Sequence, residues 1–260
     1  MLSSACRFGS IATAVGQASS GGAPAPYLID AVNFDSTDRM TATLVGPANS
    51  KLFTLAVWFL YEGSSANSTI LQIGGNTEAS GVFRLAFLPD DTLQIIGRNA
   101  ALTTILDLST SATFVDGRWH QVLVSVDLTG AVQLYIDGFS DLVLNTFVND
   151  TINFAAAVGT TIGSMLAGVA PFTGGLAQVA FLPGVYVDLS VQANLDKFRS
   201  VLAQPVNLGA DGSTAFGAPA LVLQNILDGE APANFATNAG TGGNFLITGT
   251  LTTYPSSPSG

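Results

Sequence analysis

Hydrophobic and polar positions alternate along most of this chain, in short runs separated by turns rich in Gly, Asn, Asp and Ser. The clearest pair of runs is 119–126 and 131–136. His120, Val122, Val124 and Val126 share one face of the first, and Val132, Leu134 and Ile136 share one face of the second. Asp127-Leu-Thr-Gly130 between them predicts a hairpin, and Asp137-Gly138 turns the chain again. We read this as the central hairpin of a larger antiparallel sheet.

Further strand-like runs cover 29–34, 39–45, 52–61, 69–73, 82–88, 93–98, 103–108, 142–147, 152–154, 160–162 and 174–182. Two more follow late in the chain, 219–223 and 244–252. Short strands at this cadence predict an all-β antiparallel sandwich or jelly roll and not βαβ units. Residues 52–61 are apolar on both faces: Phe53, Leu55, Val57 and Phe59 on one, Ala56, Trp58 and Leu60 on the other. A strand of that kind is covered on both sides, as at a sheet centre or beneath another element.

Only one helix is expected, over 187–204. Asp188 or Ser190 would cap it, Val191, Leu195, Phe198 and Val201 or Leu202 would form its apolar face, and Pro205 would end it. Residues 1–26 are Ser-, Ala- and Gly-rich without periodicity, the composition of an extended arm. The domain reading is therefore an arm over 1–26, a sandwich over 27–186, a helix over 187–204, and a C-terminal extension over 205–260 packed on the sandwich or on a neighbour.

Composition narrows the function classes. Of the 260 residues only 10% are charged and 48% are hydrophobic, so Ser, Thr, Asn, Ala and Gly must form much of the surface. Such a surface suits lasting contact with other subunits. The formal net charge of −10 with eight basic residues argues against a nucleic-acid partner. No apolar stretch long enough for a membrane-spanning helix is present, so no membrane insertion is expected. Cys6 is the only cysteine, which excludes an intrachain disulfide and argues against a thiolate metal site. Leu2-Ser-Ser-Ala-Cys6 has no basic or apolar region before it, so no secretion signal is expected.

Four stretches together resemble the laminin-G-like, concanavalin-A-like jelly roll: Asn33-Phe-Asp-Ser-Thr-Asp38, Phe53-Thr-Leu-Ala-Val-Trp-Phe59, the run from Asp116-Gly-Arg-Trp-His-Gln-Val122 through Leu134-Tyr-Ile-Asp-Gly138, and Phe172-Thr-Gly-Gly-Leu-Ala-Gln-Val-Ala-Phe181. A second resemblance covers the remainder. Asp196-Lys-Phe-Arg199, Pro205-Val-Asn-Leu-Gly-Ala-Asp-Gly-Ser213 and Asn234-Phe-Ala-Thr-Asn-Ala-Gly-Thr-Gly-Gly-Asn-Phe245 are similar to the C-terminal part of virion proteins of tailed bacteriophages. In those proteins the jelly roll serves as a structural or adhesive module.

The candidate chemistry is sparse. His120, the only histidine, lies on the valine face of its strand and reads as a packed residue before a ligand or base. Glu62, Glu78 and Glu230 are the only glutamates, each in a loop context, which leaves little for a paired-carboxylate glycosidase. The jelly-roll resemblance implies a calcium site near the opening turn and the closing strand, with Asp35 and Asp38 as candidates. Leu176-Ala177-Gln178 carries no carboxylate on the closing side, so Asp35 and Asp38 read first as turn residues and no cofactor is expected. Arg118 and Trp119 could form a sugar-stacking platform, although Trp at a strand start is more often core. Gly74-Gly75 and Gly240-Thr-Gly-Gly243 are loop glycines without a phosphate-binding context.

The resemblances imply a non-enzymatic structural protein of a phage virion, decorating the head or belonging to the tail or its fibres. It would assemble in the host cytoplasm with other capsid or tail subunits as a homo-oligomer, with a trimer the form that an appendage suggests. The alternative is a carbohydrate-binding adhesin that touches a host glycan, and a glycoside hydrolase is the remote third reading.

Overall fold

The computed structural model describes residues 29–43, 48–75, 77–156, 159–209, 217, 219–225 and 231–259. The arm expected over 1–26, with Cys6, lies outside the described residues, as does Glu230. In chain order the strands are β1 (Val32–Phe34), β2 (Arg39–Ala42), β3 (Leu52–Tyr61), β4 (Ser68–Ile73), β5 (Phe83–Phe87), β6 (Thr92–Arg98), β7 (Thr104–Thr113) and β8 (His120–Asp127). They continue with β9 (Ala131–Ile136), β10 (Phe139–Ser140), β11 (Val143–Phe147), β12 (Thr160–Ile162), β13 (Gly174–Pro183), β14 (Leu221–Gln224), β15 (Leu246–Thr248) and β16 (Thr252–Thr253).

These strands form two stacked antiparallel sheets. The first has the order β10-β9-β8-β3-β13-β1-β16, with β14 also against β13; the second runs β11-β7-β6-β5-β4-β12-β2-β15. This is the expected all-β jelly-roll sandwich. The middle of the first sheet is β3 beside β13, and the β8–β9 hairpin sits between them and the edge strand β10. The hairpin is therefore not central, as the alternation had suggested. The middle strands are those with apolar side chains on both faces.

Between the sheets Phe53 packs against Phe83, Phe154 and Phe181 with ring centroids 5.0, 6.4 and 6.2 Å away. Toward the other end Tyr61 stacks on Phe87 at 3.8 Å, and Phe59 meets Phe87 and Phe114 edge-on. Each such ring removed from water contributes roughly 1.5–3 kcal/mol, so this aromatic layer, with the Val, Leu and Ile side chains around it, holds the sheets together. The turns follow their chemistry. Asp127 takes the N–H and hydroxyl of Thr129 on its carboxylate. Asp137 and Gly138 both adopt positive φ (51° and 86°), the geometry of a two-residue hairpin turn, and this turn adds β10.

Three expected elements differ. The run 152–154 is a single bridge from Ile152 to Ser50 followed by a 3-10 turn, Phe154–Ala156. The run 244–252 divides into β15 and β16 at Gly249, where φ is +90° and a Cβ would collide with the Asp38 carboxylate. The helix expected over 187–204 is one turn, α1 (Gln192–Leu195). Asp188 does not cap it, because its carboxylate is held by Ser190 and Gln133. Leu195 and Phe198 are buried as the periodicity required, but Val201 and Leu202 are 76% and 66% exposed. Chain reversal at Ala203 (φ 59°) brings Pro205 back beside Arg199. Beyond the turn the Phe198 carbonyl accepts from Gln121 on β8, a tertiary bond in place of a helical one.

Candidate functional site

The outer face of the first sheet is closed by the protein's own chain. Ala56, Leu123, Ala180 and Leu182 point outward and are covered by Val187, Leu189, Leu195, Phe198, Val206 and Leu208. Outward polar side chains dock this strap by its backbone: Gln178 donates to the Val206 carbonyl at 3.0 Å, Thr54 donates to the Val185 carbonyl at 3.0 Å, and Val187 N–H donates to Ser125 Oγ at 2.7 Å. The two-sided apolar pattern of 52–61 is thereby explained.

The C-terminal segment finishes the closure. Thr250 N–H donates to Asp38 Oδ1 at 2.7 Å, β16 pairs with β1, and Tyr254 N–H donates to the Ala31 carbonyl. Tyr254 then sets its ring edge-on to Trp119 at 5.6 Å, and the Trp119 indole N–H donates to Ser256 Oγ at 3.0 Å. Tyr254 also donates its hydroxyl to Glu62 at 3.0 Å; burial first, and then this carboxylate, push the phenol up to about 12. Trp119 packs with Ile29, Ala31, Trp58 and Ala177 under this segment, so the structure uses the expected sugar platform as packing. The described part of the C-terminal extension packs on the sandwich itself.

His120 lies at the rim of the core beside Phe59 and Phe114, with Nδ1 2.7 Å from Asp137 and Nε2 3.1 Å from Asp116. Burial opposes its charge, but the hydrogen bonds and charges of Asp137 and Asp116 outweigh burial and raise its pKa. Asp137 also accepts Gln121 N–H, so the group locks the start of β8 to the turn after β9.

Asp35 accepts the Thr37 N–H and hydroxyl, and these bonds lower its pKa. Asp38 is buried, taking Asp35 N–H on one oxygen and Thr250 N–H on the other. Both calcium candidates are thus engaged with the opening turn and the C-terminal segment. Among the described residues no three His, Cys, Asp or Glu side chains converge as metal ligands would. Glu62 and Glu78 pair with different groups, Tyr254 and Arg84.

The second sheet is different: its outer face is polar. Register places Thr146, Asp107, Ile96, Arg84, Gln72, Thr161, Thr41 and Leu246 side by side in one row that crosses all eight strands. Thr69, Ala86, Gln94 and Ser109 form the neighbouring row. Arg84 donates from Nη2 to Glu78 at 2.8 Å and to Gln94 at 3.0 Å, and Gln94 donates onward to Asp107 at 3.0 Å. Residues 74–75 and 77–81 lie against these side chains: Gln72 Nε2 donates to the carbonyls of Gly74, Gly75 and Thr77, and Arg98 Nη1 donates to those of Glu78 and Gly81. Burial first, then the neighbouring Arg84 charge, lowers the Arg98 pKa.

Among the described residues five polar atoms on this face are buried without a partner: Arg39 Nε, Thr69 Oγ1, Gln72 Oε1, Arg84 Nη1 and Thr161 Oγ1. Thr69, Gln72, Arg84 and Thr161 are 0%, 1%, 2% and 1% exposed, and Arg39 is half-buried. At the β15 end the row meets an open cleft of about 260 Å³ lined by Thr41, Thr43, Gly159, Leu166, Asn244 and Leu246, a mixed polar and apolar lining. The sequence reading passed over these residues. Their signal was a polar residue between apolar neighbours, Gln72 between Leu71 and Ile73 in β4 and Arg84 between Phe83 and Leu85 in β5.

A family model described as the concanavalin A-like lectin/glucanases superfamily matches residues 34–191, and the chain belongs to that superfamily. Its laminin-G-like, concanavalin-A-like character agrees with the four stretches that suggested it. Among solved structures the chain is similar to a Bacteroides ovatus protein provisionally named as carbohydrate binding, with TM-score 0.59 and 18% identity over 88% of this chain and 61% of that one. It is also similar to the native heptameric SAP-like pentraxin of Limulus polyphemus, with TM-score 0.54 and 11% identity over 87% of this chain and 94% of that one. The chain thus spans about three fifths of the Bacteroides protein, and at these identities the likeness is one of fold. No curated protein matches the sequence.

Proposed function

We propose that the chain is a non-catalytic carbohydrate-binding module that holds its ligand on the outer face of the second sheet. One observation carries this reading: hydrogen-bonding side chains run in register across that sheet and lead to an open cleft beside Thr41, Thr43 and Asn244. A saccharide offers hydroxyls that both donate and accept, which such a face can satisfy. Membership of a superfamily whose description includes lectins, and the fold shared with the Bacteroides protein, support the reading. Glycosidase chemistry is disfavoured, because Glu62 and Glu78 are engaged separately with Tyr254 and Arg84.

The test is a glycan array probed with the whole chain and with Thr41→Arg, which fills the cleft from a partly exposed strand position. Binding that Thr41→Arg abolishes supports the reading. Binding that survives it moves the site elsewhere, and absence of binding to any glycan sinks the proposal.

A second reading, a structural subunit of a phage virion, is favoured by a different feature. The edge strands β10 and β11 and the residue beyond them expose Phe139, Val143, Leu144 and Val148, an apolar margin suited to subunit contact. The two readings combine in an adhesive virion module, with other capsid or tail subunits and a homo-oligomer as partners. Light scattering of the purified chain tests the oligomer: a homo-oligomer that Phe139→Ser dissociates supports subunit contact through this margin, and a monomer at all concentrations removes it.

A further inference from the structure

Arg39 begins β2 on the outer face of the second sheet, two residues before Thr41 and directly across from Thr248 on β15. Among the described residues its guanidinium forms no ion pair and no hydrogen bond. Only Nε is shut away from solvent and the residue as a whole is half-buried, so the Nη end reaches the surface. Asp38, the nearest acid in the chain, turns its two oxygens to the Asp35 and Thr250 N–H groups instead. The turn 165–169, which gives Leu166 to the cleft wall, closes on itself: Met165 N–H donates to Val169 and Gly168 N–H to Met165. It leaves the guanidinium room at Gly168, where a Cβ would lie 2.7 Å from Arg39 Nη1. A cation is thus seated beside the cleft with nothing in the protein to neutralise it.

Resting on the carbohydrate-binding reading above, we propose that the cleft takes a saccharide bearing a carboxylate, which Arg39 holds. A guanidinium presents paired N–H donors that match the two oxygens of a planar carboxylate. The groups beside it are neutral and within reach of a ligand. Thr43, Asn244 and Thr248 are exposed and Thr41 is half-buried, and the three threonine hydroxyls are unbonded within the protein. Asn244 gives its side-chain oxygen to Asn238 N–H and keeps its amide N–H for the ligand. From Arg39 to Thr43 the strand covers about 13 Å, so the carboxylate sits at one end and sugar hydroxyls are met along the cleft. No Asp or Glu lines it. Glu78 is bonded to Arg84, whose strand lies three strand spacings from β2, about 14 Å, beyond the roughly 8 Å over which charges act at physiological salt. In a chain of net charge −10 an acid gains a foothold only beside a cation, which makes its binding depend on Arg39.

The experiment titrates the whole chain with uronate-bearing and sialylated oligosaccharides and with the carboxyl-reduced form of each. The wild type is expected to bind one of the two acids about ten- to a hundredfold more tightly than its reduced form, the worth of hydrogen bonds to a charged group. Two variants follow. Arg39→Gln removes the cation, and Thr248→Glu, at the exposed position opposite, gives Arg39 a carboxylate of the protein's own. Each should bind acid and reduced form alike, with the affinity for the reduced form near that of the wild type. Melting temperatures check that both are folded, and Thr248→Glu decides alone if Arg39→Gln is not. Equal binding of acid and reduced form by the wild type overturns the inference and leaves the carbohydrate reading standing. A preference for the acid that survives in the folded variants also overturns it, because the carboxylate then sits elsewhere. Binding to no oligosaccharide at all overturns both this inference and the function it rests on.

Discussion

Replacing Asp38 by alanine tests how the two ends of the described chain are joined. The side chain is 3% exposed and accepts two backbone N–H groups, Asp35 at 3.1 Å and Thr250 at 2.7 Å. A hydrogen bond to a charged group contributes about 1.5–3 kcal/mol, and an orphaned buried N–H adds its own desolvation cost. Part of this returns at the Asp35 end, where the turn is open enough for water, so the expected loss is about 2–4 kcal/mol. Urea unfolding measures it, and amide exchange at Thr250, Thr252 and Tyr254 should report early release of the segment. A loss below about 0.5 kcal/mol, or undiminished protection of those amides, would refute the assignment of Asp38 as the clasp. The same protein decides the calcium question. Millimolar calcium should leave the wild-type melting temperature unchanged, and a rise that Asp38→Ala abolishes would restore Asp35 and Asp38 as metal ligands.

Three further outcomes are expected. Removing residues 254–260 uncovers Trp119, so tryptophan emission should shift to the red while far-ultraviolet dichroism stays that of a β protein; unshifted emission would mean that Tyr254 and Ser256 do not cover the ring. The raised pKa of His120 makes its contribution to stability complete below its ordinary value near 6.5 and lost as pH rises through the higher folded value. Stability should therefore decline over that interval in the wild type and not in His120→Gln, and parallel pH profiles would count against the Asp116–His120–Asp137 group as the cause. Phe53→Ala opens a hole among Phe83, Phe154 and Phe181 and should cost about 3–5 kcal/mol in denaturant unfolding, whereas a cost under about 1 kcal/mol would mean that the two sheets collapse to fill it.

The strands were legible wherever local alternation sufficed. The runs 52–61, 131–136 and 160–162 coincide with β3, β9 and β12, and the apolar back of β3 announced a second covering layer. What covered it was misread as a long helix, since the spacing of Leu195 and Phe198 is helical whether or not the helix continues. The carbonyl of Phe198 goes instead to Gln121, a partner 77 residues away that no periodicity displays. The candidate site was hidden for the same reason. Thr41, Gln72, Arg84 and Thr161 are neighbours only through strand register, and each alone is an ordinary polar residue on a strand. Trp119 and Arg118, adjacent in sequence and rich in recognisable chemistry, drew the sugar-binding expectation to the sheet that the chain itself covers.

The clasp between Asp38 and Thr250 also constrains how the protein can be made. Its partners are 212 positions apart, and the outer strands beside β1 and β2 are β16 and β15, the latest in chain order among the strands described. At ordinary synthesis rates β1 and β2 wait roughly 10–40 s for those partners. Throughout that interval two sheet margins are open to strands of neighbouring nascent chains. A slow codon stretch late in the message, or many ribosomes close together on it, would lengthen or crowd that exposure, so yield in a foreign host should depend on translation speed and chaperone supply as much as on the stability of the finished fold.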